Sequence, residues 1–243
     1  MSRMSLSAHW VDFFLPTTCA SCNVPLQEGA NLCERCYHNL TYPADFRCSQ
    51  CGARCPNGTT HHSGSLSILA AAPFNAPGTA ELIHRLKFSR TKNSATSIGL
   101  LLANALLRHK NIISSFVLAP IPLSPTRLRR RGYNQAELIA KQISYHTKLP
   151  VLDNALIRAI HTNPQTEMKT EEREQNVAGV FQARPSVAGE KIILIDDVVT
   201  TGATLLSAAR ALRLAHARPV IAAVFAASPY SPVCPPKKWL KSG

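Results

Sequence analysis

An uninterrupted apolar run, Ile192-Ile193-Leu194-Ile195, ends in two carboxylates, Asp196 and Asp197. Branched apolar residues without a polar break describe a strand buried on both faces, the kind found in parallel sheets covered by helices. Behind the carboxylates, Val198-Val199-Thr200-Thr201-Gly202-Ala203-Thr204 is a loop of small and hydroxyl residues. Leu205, Leu206, Ala209, Leu212 and Leu214 then recur at helical spacing. Strand, acidic pair, small-residue turn and helix in this order place a ligand crevice beyond the strand's carboxyl end. Backbone N–H groups of Thr200 to Thr204, at a helix N-terminus, form a nest for one phosphate. Gly202 lets the backbone approach closely or take a positive φ. The hydroxyls of Thr200, Thr201 and Thr204 add donors. Asp196 and Asp197 repel a phosphate but suit ribose hydroxyls, directly or through a hydrated Mg²⁺. Together these groups describe a ribose 5-phosphate site. A plainer reading, with Asp197 capping the loop and Thr201 the helix, accounts for one carboxylate at most.

The charge is unevenly spread. The chain of 243 residues carries a formal +13, yet residues 1–63 balance four arginines against four carboxylates, so the whole excess lies in 64–243. That excess favours anionic partners, either a phosphate-rich substrate or nucleic acid. The length suffices for one α/β domain and a small appendage.

Seven of the eight cysteines fall between positions 19 and 55. Disulfide frameworks belong to small secreted domains. Here the apolar piece Trp10 to Leu15 is short and interrupted by Asp12, unlike a signal peptide's core, and no run reaches membrane-spanning length. The expectation is a cytoplasmic protein with metal-bound thiolates. Cys19-x-x-Cys22 and Cys33-x-x-Cys36 supply four thiolates for a tetrahedral, structural Zn²⁺. Cys48-x-x-Cys51 begins a second site. Cys55 lies close enough to share its ion, and either His61 or His62 is available as the fourth ligand. A turn at Pro56-Asn57-Gly58 leaves the alternative that the histidines belong to a solvated loop.

Along the chain, residues 5–15 read as a short amphipathic helix. Ser65 to Ala72 reads as an edge strand, and Glu81 to Phe88 as a helix with Leu82, Ile83 and Leu86 inward. Lys87 and Arg85 at its end are positioned for a diphosphate or for solvent. A second helix covers Ala95 to Arg108. Ser115 to Pro122 is a buried strand ending in a proline-bounded loop. Arg127, Arg129, Arg130 and Arg131 follow directly, placed to clamp phosphates at the same sheet edge as the ribose site. Ala136 to His146 continues as a helix, and Val151 to Ile160 is strand-like. The polar stretch His161 to Asn176 suits an active-site lid, or equally a surface helix of alternating charge. Phe181 closes a short strand, Pro219 to Ala226 is the last apolar strand, and residues 228–243 read as a flexible Lys/Pro tail whose Cys234 is not expected to be a ligand.

The run from Asp196 to Thr204 resembles the motif of type I phosphoribosyltransferases that binds 5-phosphoribosyl 1-diphosphate (PRPP). Four further elements narrow the resemblance. They are the cysteine knuckles, Leu82-Ile83-His84-Arg85-Leu86-Lys87-Phe88, Pro120-Ile121-Pro122-Leu123, and Arg127-Leu128-Arg129-Arg130-Arg131-Gly132-Tyr133-Asn134-Gln135-Ala136-Glu137. In this order they are similar to the ComF family of competence proteins, which includes GntX-type proteins. The resemblance covers about residues 16–227. It implies a zinc finger over 1–63 and an open, mostly parallel phosphoribosyltransferase-like α/β sheet flanked by helices over 64–227; the basic tail over 228–243 departs from the family, whose members usually stop near the last strand. It further implies PRPP with Mg²⁺ as ligands, single-stranded DNA and a competence helicase or DNA-processing proteins as partners, and a role in handling incoming DNA during natural transformation. On that reading Asp196 and Asp197 serve the ribose and Mg²⁺, and Val198 to Thr204 the 5-phosphate. Lys87, Arg127, Arg129, Arg130 and Arg131 serve diphosphate or DNA. The family pattern has Cys-x-x-Cys twice in the second knuckle region, where this chain has Cys55 and His61 or His62 in place of the last pair. Two functions follow: a phosphoribosyltransferase with an open choice of acceptor, or a DNA-binding competence factor with a regulatory or vestigial PRPP site.

Overall fold

The computed structural model describes residues 18–27, 30–42, 44–88, 93–158 and 180–234. The expected helix at 5–15, the lid at 161–176 and the end of the tail lie outside the described residues. The elements run α1 (Glu34–Asn39), β1 (Phe46–Cys48), β2 (Ser67–Pro73), α2 (Thr79–Phe88), α3 (Asn93–Leu107), α4 (Lys110–Ile113), β3 (Val117–Pro120), α5 (Pro125–Arg131), α6 (Gln135–Thr147), β4 (Leu156–Arg158), β5 (Phe181–Ala183), β6 (Ile192–Val199), α7 (Ala203–Leu214) and β7 (Val220–Ala227).

The five-stranded sheet has the order β1-β2-β7-β6-β3. β2, β7, β6 and β3 are mutually parallel, and β1 joins antiparallel to β2. β7 is buried along its whole length. Its alternate side chains serve two cores, as the period of a strand dictates. Ile221, Ala223 and Phe225 meet Ile98 and Leu102 of α3 and Ile139 and Ile143 of α6. Val220, Ala222 and Val224 meet Leu205, Ala208 and Leu212 of α7 on the other face. The unbroken apolar runs in β6 and β7 thus follow from helices on both faces. Gly99 brings α3 against α6: a Cβ there would lie 2.3 Å from Gln142 Cβ.

β2 is not the edge strand expected for Ser65 to Ala72. β1, from the cysteine-rich segment, covers it with Phe46 opposite Leu69 and Cys48 opposite Ser67. The cysteine segment also shares the main core, because Leu40, Tyr42, Phe46 and Cys55 pack in the same cluster as α3 and α6. The strand-like stretch from Val151 reduces to one bridge, Val151 to Leu118, and the short β4. Phe181 opens β5 rather than closing a strand, and β5 pairs with β4 as a separate antiparallel ribbon. Residues 228–234, the described part of the segment after β7, pack back against the fold. Val233 is buried, and a Cβ on Gly52 would lie 2.4 Å from the Pro232 carbonyl oxygen.

Candidate functional site

The carboxyl ends of β6 and β3 open into a cavity of about 500 Å³. Asp196, Asp197, Val198, Thr200 and Thr204 line it from β6 and the following loop. Lys87 enters from α2, Arg127 and Arg131 from α5, and Arg158 from β4. Carboxylates, a phosphate-type loop and four cations therefore share one space.

Local chemistry explains each position. Gly202 sits at φ +84 before α7, with only Val199 Cγ2 near an added Cβ, at 3.9 Å. The left-handed backbone, not crowding, selects glycine there. Thr201 Oγ1 accepts from the Ala203 N–H at 3.4 Å, while Thr200 and Thr204 remain exposed on the cavity wall. Val199 is buried in the core. The Asp197 N–H donates to Asp196 Oδ1 at 2.8 Å. Burial first, and then the Asp197 charge, push the Asp196 carboxyl up to about 8. Lys87 Nζ answers that charge, 2.9 Å from Asp197 Oδ2.

The arginine run divides. Ser124 caps α5 by accepting from the Arg127 N–H, with Pro125 in the first turn, and left-handed Gly132 ends the helix. Arg127 and Arg131, four apart and so on one helix face, line the cavity, whereas Arg129 and Arg130 are exposed outside it. Burial lowers the Arg131 pKa, and its Nε has no hydrogen-bond partner. Gln135 Oε1, on the same wall, is also buried and unpartnered. Buried polar atoms of this kind are paired in folded proteins, by protein, water or a bound polar group. The residues after the arginines are the scaffold. Tyr133 donates its hydroxyl to the Leu86 carbonyl at 2.6 Å. Asn134 accepts from the Ala136 N–H at 3.1 Å and donates to the Ile121 carbonyl at 3.0 Å. The Gly-Tyr-Asn sequence thereby ties α2, the proline loop and α6 around the cavity. Sequence reasoning missed these roles and missed Arg158 as a lining cation. The signal for Asn134 was its position before a helical run, the N-cap preference.

The cysteines form two groups. Ligand atoms of Cys19, Cys22, Cys33 and Cys36 lie within 4.8 Å of one another, with Cys22 and Cys33 Sγ 3.7 Å apart. Zn–S bonds of about 2.3 Å in a tetrahedron require S···S near 3.8 Å, so the set fits zinc. Burial opposes ionisation of Cys19, but N–H groups of Cys33, Cys22 and Ser21 bring its thiol down to about 6. Cys48, Cys51, His61 and His62 form the second group, with Cys51 Sγ 3.0 Å from His61 Nε2. Both histidines belong to it and Cys55 does not. The Cys55 N–H donates to the Phe46 carbonyl at 2.7 Å, which turns its side chain into the core, and burial raises its pKa.

Fold and sites together define a phosphoribosyltransferase-type sheet joined to a pair of cysteine-rich metal knuckles. The chain matches the Phosphoribosyl transferase domain over residues 128–242 and the Double zinc ribbon domain over residues 10–65. It is similar to the DNA utilization protein YhgH of Escherichia coli strain K12, 28% identical over 82% of this chain and 91% of the relative. Competence protein F of Haemophilus influenzae is also 28% identical, over 82% of this chain and 92% of that protein. Competence protein ComFC of Bacillus subtilis is 43% identical over 40% of this chain and 38% of that protein. Competence proteins F and ComFC and the DNA utilization protein are thus homologues of this chain, which carries matches to a double zinc ribbon and a phosphoribosyl transferase domain. No described helix is long and apolar enough to cross a membrane.

Proposed function

We propose that the cavity at the end of β6 binds PRPP with Mg²⁺, and that the chain is a phosphoribosyltransferase acting in the handling of incoming single-stranded DNA. The observation that carries this reading is the convergence of Asp196, Asp197, the loop residues Thr200 and Thr204, and the cations Lys87, Arg127, Arg131 and Arg158 on one cavity. The loop N–H groups receive the 5-phosphate. Asp196 and Asp197 take the ribose hydroxyls and hold Mg²⁺, which supplies positive charge to the diphosphate when bound. In transfer, the C1–O bond to diphosphate breaks as positive charge grows on the ribose, a nucleophile's bond to C1 forms, and the nucleophile loses a proton. Lys87 and the three arginines stabilise the departing diphosphate. Lys87 must then exchange Asp197 for a phosphate oxygen. Structural zinc fits the converging thiols of Cys19, Cys22, Cys33 and Cys36, and a reducing cytoplasm is the compartment in which such thiols stay available to a metal. Residues 1–63, 64–227 and 228–243 divide the chain by role rather than by folding, since β1 belongs to the main sheet.

A second reading has its own observation. Arg129 and Arg130 point to solvent beside the cavity, and the chain's charge is +13. A DNA-binding competence factor in which PRPP is a regulatory ligand uses these cations on the phosphate backbone. Names of the relatives, competence protein F and DNA utilization protein, support a DNA-linked role under either reading. Calorimetric titration of Mg²⁺-PRPP into the wild type and an Asp196→Ala/Asp197→Ala variant tests the site. Heat from the wild type alone, with diphosphate released when an acceptor is present, supports the transferase. Heat without release under any acceptor, together with salt-dependent single-strand binding that survives the double variant, favours the second reading. No heat from folded, zinc-loaded wild type overturns both forms of the PRPP site.

A further inference from the structure

A second cavity, about 520 Å³, opens at the amino end of the parallel sheet. It is lined by Gly58, Thr59 and Thr60 of the zinc ribbon, Ser67 at the start of β2, Arg213 of α7, and Arg218, Pro219 and Val220 at the start of β7. β7 spans eight residues between this cavity and the PRPP-type site. At roughly 3.3 Å per residue the two cavities are on the order of 25 Å apart.

Its electrostatics are unusual. Arg213 is partly buried, and Nη2 donates to the Ser65 carbonyl at 2.9 Å. Burial, and then the charge of Arg218, lower its pKa, with no carboxylate opposing them. Neither arginine has a carboxylate partner among the described residues. Ser67 Oγ, buried on the cavity wall, lies beside the Cys55 thiol and has no oxygen or nitrogen partner. Thr59 adds an exposed hydroxyl, while the Thr60 hydroxyl is engaged with the His62 carbonyl at 3.3 Å. Gly58, Pro219 and Val220 provide an apolar floor. Two adjoining guanidiniums without a counter-ion repel each other until an anion joins them, and a phosphate satisfies both through paired N–H donors. An apolar floor beside them accepts the sugar or base that a phosphate carries. The volume falls in the usual range for small-ligand sites.

We propose that this rear cavity is a nucleotide-phosphate site, distinct from the PRPP-type site, in which Arg213 and Arg218 bind the phosphate of a free nucleotide or of a nucleotide within a single strand. The zinc ribbon supplies one wall, so the site exists only when the ribbon is docked on the sheet. The proposal stands whether or not the front cavity binds PRPP.

The test uses the full zinc-loaded chain. Calorimetry measures binding of thymidine 5′-monophosphate, thymidine, and a short oligothymidylate to the wild type, Arg218→Gln and Arg127→Ala. Arg218 is exposed and its side chain makes no described hydrogen bond, so Arg218→Gln keeps the fold. Circular dichroism confirms that. Arg213→Lys, which retains a donor for the Ser65 carbonyl, is the second variant. The expected result is binding of a phosphate-bearing ligand, weakened at least tenfold by Arg218→Gln and by Arg213→Lys but less than twofold by Arg127→Ala. If the mononucleotide binds, the source is a free nucleotide. If only the oligonucleotide binds, the source is the strand, and the salt slope falls by about one in Arg218→Gln. Equal binding by thymidine and its monophosphate overturns the proposal, as does phosphate-dependent binding that Arg218→Gln leaves unchanged, or no binding at all.

Discussion

Replacing Lys87 by methionine removes the cation that faces the acidic pair while keeping a side chain of similar length. Lys87 Nζ and Asp197 Oδ2 are 2.9 Å apart, with side chains 25% and 11% exposed. An exposed ion pair contributes about 0–1 kcal/mol, whereas breaking a fully buried one costs about 3–5 kcal/mol. This pair lies between those limits, so Lys87→Met should destabilise the ligand-free protein by about 2 kcal/mol at pH 7 and low salt. For a chain of this size that is a fall in Tm of roughly 4–8 °C. Asp197→Asn should cost less, because it relieves the repulsion with Asp196 and leaves Lys87 a route to solvent. In Lys87→Met/Asp197→Asn the buried charge has gone together with its partner, so the two effects should not add. The expected coupling is about 1–2 kcal/mol. Urea unfolding of the wild type, both single variants and the double variant, each zinc-loaded and followed by far-UV circular dichroism, completes the cycle. Lys87→Met should also weaken Mg²⁺-PRPP, since the same ammonium is assigned to the diphosphate. A coupling below about 0.5 kcal/mol would refute the view that Lys87 and Asp197 form an electrostatic latch across the cavity.

Metal analysis should find two zinc ions per chain, one in Cys51→Ser, and two in Cys55→Ser, whose thiol lies outside both groups; loss of an ion in Cys55→Ser contradicts the assignment. Gly202→Ala forces an L side chain to φ +84, and the cost of about 1–2 kcal/mol should appear as lower stability and at least tenfold weaker Mg²⁺-PRPP in calorimetry. The Asp196 carboxyl is pushed up to about 8, first by burial and then by Asp197, so Mg²⁺-PRPP affinity should rise between pH 6 and 8 and level off above. Stability of the ligand-free protein should move the other way. Asp196 keeps its proton when folded but not when unfolded, so its contribution is complete below pH 4 and is lost as pH rises through about 8. Urea midpoints at pH 6 and pH 8.5 measure that loss. Gly99→Ala places a Cβ 2.3 Å from Gln142 Cβ and should cost about 1–3 kcal/mol by overpacking α3 against α6.

The carboxyl end of β6 was legible because its signals are local. Ile192 to Thr204 is one strand and one turn, and its apolar run, carboxylates and glycine each report the backbone they occupy. Cys19 to Cys36 was legible for the same reason, since spacing alone brings four sulfurs to one ion. What failed was long-range. Nothing within Phe46 to Cys48 signals that this short strand covers β2, because an antiparallel partner twenty residues away leaves no periodic mark. Cys55 was grouped by proximity in sequence to Cys51, yet a backbone hydrogen bond to Phe46 sends its thiol inward, and His61 and His62 both join Cys48 and Cys51. Arg158 looked like the end of a strand until β5, more than twenty residues on, folded its ribbon over the site. The arginine run shows how the two kinds of information combine. Composition gave four equivalent cations, and only helical periodicity in α5 separates Arg127 and Arg131 from Arg129 and Arg130. The Gly132-Tyr133-Asn134 sequence then holds that helix at the cavity mouth. A phosphate site built on a freely moving arginine helix would spend its binding energy on ordering the helix, so the tether to Leu86 and Ile121 is as necessary to the cavity as the guanidiniums themselves.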